Sequence, residues 1–99
     1  MNEKLLKNIN HYGVNHQQRK LQEEVFELQE AITNRELHWN YDTEIQDIKP
    51  YNEHLIEEIA DVQVLLNQFK LYYGISDEEV KEVMIKKIDR QMERIGVNE

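Results

Sequence analysis

The stretch Leu21-Gln22-Glu23-Glu24-Val25-Phe26-Glu27-Leu28 decides how the chain is read. Leu21, Val25, Leu28 and Ile32 recur at spacings of 4, 3 and 4, the repeat of one helical face. On a wheel of about 100° per residue with Leu21 at zero, all four fall within roughly 40° of one another's mean. Glu23 and Glu30 fall opposite, at about 180–200°, where solvent is expected. Glu24 at about 300° and Glu27 at about 240° instead border the apolar stripe, beside Ala31 at about 280°.

Further along, Leu55-Ile56-Glu57-Glu58-Ile59-Ala60-Asp61-Val62 repeats the pattern. The stripe there is Leu55, Ile59, Val62, Leu66, Phe69 and Tyr73. With Leu55 at zero, Glu57 points outward near 200°, Glu58 falls at about 300° between Leu65 and Phe69, and Asp61 at about 240° beside Tyr72. A single Glu-x-x-Glu on an acidic helix is ordinarily a solvated surface feature. Two pairs at matched angles, one inside an apolar sector, are different. Desolvation opposes ionisation of a buried carboxylate, and four converging carboxylates repel one another. A divalent cation relieves both, and Mg²⁺ prefers hard oxygen ligands. Glu24, Glu27, Glu58 and Asp61 are therefore the candidate metal ligands.

Working outward, glycine, proline and capping residues divide the chain into four helical segments. The first spans about Asn2 to Tyr12, with Gly13 as its stop. The second spans about Asn15 to Leu37. His38 to Tyr51, polar and aromatic and containing Pro50, is expected to be a connector. The third begins near Asn52 as N-cap and ends at Gly74. Ser76-Asp77-Glu78-Glu79 fits a capping box, opening a fourth helix to about Ile95. The alternating runs of a sheet are missing. The expectation is an all-α, antiparallel four-helix bundle forming one domain over residues 1–99.

The chain has 99 residues, no cysteine, one proline and three glycines. Disulfides, thiolate zinc sites and cysteine nucleophiles are excluded. The net charge of −8 disfavours binding to a nucleic-acid polymer. No apolar run reaches membrane-spanning length, and none follows Met1-Asn2-Glu3-Lys4 as in a signal peptide. A cytoplasmic protein without membrane attachment is expected. A domain this small buries a modest core, so oligomerisation is also expected.

Glu23-Glu24-x-x-Glu27 followed by Glu58-x-x-Asp61 resembles the EExxE…ExxD signature of MazG-like all-α nucleoside triphosphate pyrophosphohydrolases. The likeness covers roughly Gln18 to Arg94. It implies hydrolysis of a nucleoside or deoxynucleoside triphosphate to the monophosphate and pyrophosphate, in the role of nucleotide-pool house-cleaning. It implies Mg²⁺, for which Mn²⁺ can substitute, held by Glu24, Glu27, Glu58 and Asp61, and a homodimer or homotetramer. The family carries a basic and amide-bearing face on its last helix, and Lys87, Gln91 and Arg94 match it. With Val80 at zero they fall at about 340°, 20° and 320°, the inward side. Two departures stand out. Thirty residues separate Glu27 from Glu58, at or beyond the long end of the family's gap, and Gln91 stands where many relatives have Asn.

Other residues carry open alternatives. Lys87 and Arg94 contact phosphate, or their stems snorkel along an apolar edge. Gln18, near 60° on the second helix, bonds a base or ribose, or is structural. Trp39, the sole tryptophan, stacks on a base or anchors a loop. His11, His16, His38 and His54 lack the Glu-x-x-His spacing of di-iron bundles. Phe26, at about 140°, points away from its own stripe and suggests a subunit interface. The competing functional reading is a non-catalytic helical interaction module on the same scaffold.

Overall fold

A computed structural model describes residues 1–41 and 45–96, the side chains of 39–41 and 45–47 excepted. The described residues form four α-helices: α1 (Asn2–Tyr12), α2 (Val14–Tyr41), α3 (Ile45–Tyr73) and α4 (Asp77–Arg94). No strand occurs among the described residues. None of the helices is long and apolar enough to cross a membrane.

Gly13 ends α1 as expected. Its φ of 86° lies where side chains are strained, and its N–H closes on the Ile9 carbonyl at 2.8 Å. α2 and α3 then form a long antiparallel pair that supplies most of the packing. Partners across it fix the register: Gln17 meets Gln68 near one end, Arg35 meets Asn52 near the other. α1 lies against both, chiefly α3.

The connector expected over His38 to Tyr51 is a correction. α2 continues to Tyr41 and α3 begins at Ile45, with Pro50 inside it. Asn52 is no N-cap; its side-chain oxygen accepts a hydrogen bond from Arg35 Nε. Proline removes one backbone donor and crowds the preceding turn. Tertiary contacts outweigh that cost here. Ile48 is buried, and the Tyr51 ring stacks on His38 at 3.7 Å between centroids.

α4 starts as expected. The Ser76 Oγ accepts from Glu79 N–H, and Glu79 Oε1 accepts from Ser76 N–H, both at 3.1 Å. It does not lie back along the other helices. After the turn at Gly74 (φ 68°) it scarcely touches them, and it has no buried residue. The radius of gyration is 17.2 Å, against about 13 Å for a compact domain of this length.

Candidate metal centre

The face of α2 that meets α3 is not centred on the apolar stripe. Gln17, Glu24 and Ala31 are buried, at about 320°, 300° and 280° on the α2 wheel. Ile48, Glu58, Leu65 and Gln68 are buried on α3, at about 20°, 300°, 280° and 220°. On α2 the packed direction is thus rotated by roughly 60° from the stripe, and on α3 the buried arc runs from the stripe at Ile48 round to Gln68. Two carboxylates lie within the helix–helix contact as a result.

Glu24 is 6% exposed and Glu58 7%. One carboxylate oxygen each from Glu24, Glu27 and Glu58 lie within 4.8 Å of one another. The Oε2 atoms of Glu24 and Glu58 are buried with no hydrogen-bond partner, the only such side-chain atoms among the described residues. Their Oε1 atoms face side chains one turn earlier: Lys20 Nζ lies 3.2 Å from Glu24, and His54 Nε2 lies 3.9 Å from Glu58. Buried acceptors left without a donor are costly.

Electrostatics agree with crowding. Burial pushes the Glu58 carboxyl above its ordinary value, and the charges of Glu27, Glu24 and Asp61 push the same way against His54. Glu27 is raised chiefly by the negative charge of Glu24. Lys20 is raised by its hydrogen bond to Glu24 and by Glu24's charge. For Glu58 and Glu27 these directions mean that the ionised carboxylate is disfavoured at this contact.

Asp61 is exposed and lies outside the triplet, though its charge reaches Glu58. It lines a groove of about 530 Å³ beside the carboxylates, together with Glu23, Glu24, Lys20, Gln17 and Gln68. Tyr12 and His16 form another part of the groove wall, their rings stacked at 4.9 Å. Beneath them Gln17 Nε2 donates to Gln68 Oε1 at 2.8 Å, and both amides are buried. His16 Nδ1 lies 2.7 Å from Gln17 Oε1, which only a protonated Nδ1 can satisfy.

The remaining expected residues fall elsewhere. Gln18 is exposed and outside the groove; its neighbour Gln17 takes the buried place. Lys87, Gln91 and Arg94 are exposed on α4, and none lines the groove. The Trp39 side chain lies outside the described residues. Phe26 is 62% exposed. The Gln17–Gln68 pair and the Tyr12–His16 stack were not expected. Gln17 shares the wheel direction of Glu24, which was the available signal.

Comparison of the chain with protein families, curated proteins and solved structures finds no match.

Proposed function

We propose that the chain is a Mg²⁺-dependent nucleoside triphosphate pyrophosphohydrolase of the MazG-like type. The observation that carries this reading is the convergence of Glu24, Glu27 and Glu58 with two buried, undonated carboxylate oxygens. A hard divalent cation suits that donor set, because it takes oxygen ligands and usually retains several waters. Glu24, Glu27 and Glu58 would hold it, with Asp61 completing the set from the groove side. When bound, such an ion neutralises phosphate charge and raises the acidity of a water.

The chain's own residues do the rest. Packing of α2 on α3 holds the carboxylates before substrate arrives, so little reorganisation is needed. Lys20 holds the Glu24 carboxylate through its ion pair. A carboxylate of this cluster not fully engaged by the ion would take the proton of the attacking water. The groove volume suits a nucleotide-sized ligand. Its Tyr12–His16 wall offers an aromatic surface for a base, and its buried amides offer donors and acceptors. Water attacks the α-phosphorus, the bond to the bridging oxygen breaks, and monophosphate and pyrophosphate leave.

The test is a screen of natural and modified triphosphates with Mg²⁺, following pyrophosphate. Equal amounts of monophosphate and pyrophosphate are expected from at least one substrate, with no release in chelator. Orthophosphate without pyrophosphate, or no turnover at all, would count against the reading and favour the interaction module.

A further inference from the structure

The polar chain beneath the Tyr12–His16 stack has a direction. His16 Nδ1 donates to Gln17 Oε1 at 2.7 Å, and Gln17 Nε2 donates to Gln68 Oε1 at 2.8 Å. An amide oxygen only accepts and an amide nitrogen only donates. The proton on His16 Nδ1 therefore sets which way Gln17 is turned, and Gln17 sets Gln68. Gln68 is 3% exposed, and its Nε2 has no hydrogen-bond partner among the described residues. Unlike the Oε2 atoms of Glu24 and Glu58, that nitrogen is not sealed in, and Gln68 lines the groove. A nearly buried donor without an acceptor is costly, and a ligand acceptor placed there removes the cost.

Helix register places this donor relative to the carboxylates. The antiparallel pairing that sets Gln17 against Gln68 also sets Glu24 level with Asp61 and Glu27 level with Glu58. From the Gln17–Gln68 row to the Glu24–Asp61 row is two helical turns, about 10 Å. That matches the reach from the α-phosphorus of a nucleotide to the outer edge of its base. The stacked Tyr12 and His16 rings line the same groove, and Val64 adds a half-exposed apolar side chain from α3. A flat heterocycle buries its faces on such surfaces and is distinguished by its polar edge.

We propose that Gln68 is a specificity-determining residue of this groove, selecting nucleotides whose base turns a carbonyl oxygen toward it over those that turn an amino group. The selection rests on the pyrophosphohydrolase reading for where the phosphates lie. A carbonyl oxygen accepts from Gln68 Nε2. An exocyclic amino group sets donor against donor and leaves both unpaired, which is the basis on which a polar site rejects a near-isostere. His16 is a positioning residue. Its Nδ1–H holds the Gln17 oxygen, so the Gln17 amide nitrogen occupies Gln68 Oε1 and keeps that acceptor from the ligand. Tyr12 contributes stacking, which is blind to the polar edge.

The test is kcat/KM with Mg²⁺ for two matched pairs, uridine against cytidine triphosphate and inosine against adenosine triphosphate. Within each pair only the base edge changes, from carbonyl with a ring N–H to amino with a bare ring nitrogen. The carbonyl member of the better-used pair should be favoured about tenfold or more. Gln68→Met should bring that ratio close to one. His16→Phe keeps a ring in the stack and removes the donor, so it should shrink the ratio as well. Tyr12→Leu should lower kcat/KM about tenfold for both members and leave their ratio unchanged. A ratio cancels any loss of folded protein, and His16 is exposed, so its replacement serves if Gln68→Met unfolds. Preference for the amino member, or a ratio unmoved by Gln68→Met or by His16→Phe, overturns the proposal. If no triphosphate is turned over, uridine and cytidine are titrated in chelator while the Gln68 side-chain amide is followed by NMR. Tighter uridine binding that shifts this amide upholds the role of Gln68 although the hydrolase reading fails. No shift with either nucleoside overturns both, and turnover without discrimination overturns the role of Gln68 alone.

Discussion

Glu24 on α2 and Glu58 on α3 are buried in the same helix–helix contact, each with its Oε2 cut off from any donor. Two acids placed so oppose folding when ionised and free. On the proposed function, a bound cation would relieve that strain.

Replacing Glu58 by glutamine removes one repelled charge and supplies two donors. Thermal unfolding of the apo protein should move up by roughly 2–5 °C, the range for a sub-kcal/mol to 1 kcal/mol gain in a domain this size. Mg²⁺ should then raise the wild-type transition but not that of the variant. Pyrophosphate release should fall by about 10²-fold or more.

Acidity should act in the same sense. Because the folded pKa of Glu58 is raised, mainly by burial, the unfolded chain loses its proton first as pH rises. Stability from this group is present below the ordinary glutamate value and is lost as pH rises through the folded one. Apo unfolding curves should thus gain from mild acidification in the wild type relative to Glu58→Gln. Added Mg²⁺ should shrink that difference at neutral pH.

Glu79 behaves oppositely. Its hydrogen bond from the Ser76 backbone N–H lowers its pKa, so its contribution holds above the ordinary glutamate value and is lost as pH falls through the lowered one. Ser76→Ala should cost about 1 kcal/mol of local helix stability. Since α4 has no buried residue, hydrogen exchange should speed over Asp77–Val80 and leave α2 and α3 unchanged.

Gln17 and Gln68 form a buried pair. Gln17→Leu alone strands the Gln68 amide and should cost about 1–3 kcal/mol in urea unfolding. Leu at both positions should recover much of the loss, because neither polar group is then orphaned.

The helix count, the ends at Gly13 and Gly74 and the Ser76 capping box were legible, because each depends on local chemistry. The extra turns around Pro50 were not. They rest on Ile48 burial, the His38–Tyr51 stack and the Arg35–Asn52 bond, all of which need the partner helix in place. The placement of the candidate site was legible in part. Wheel angles near 300° placed Glu24 and Glu58, and the structure buries both. Treating the apolar stripe as the packed face was the error. It favoured Gln18 at about 60° over Gln17 at about 320°, and it turned Lys87, Gln91 and Arg94 toward a bundle that α4 does not join.

The most direct test is a Mn²⁺ titration followed by electron paramagnetic resonance, with and without a non-hydrolysable triphosphate. Saturable binding to the wild-type chain, abolished in Glu58→Gln and competed by Mg²⁺, is the expected result. Free-ion signal throughout, in both conditions, would contradict the claim that these carboxylates exist to hold a cation.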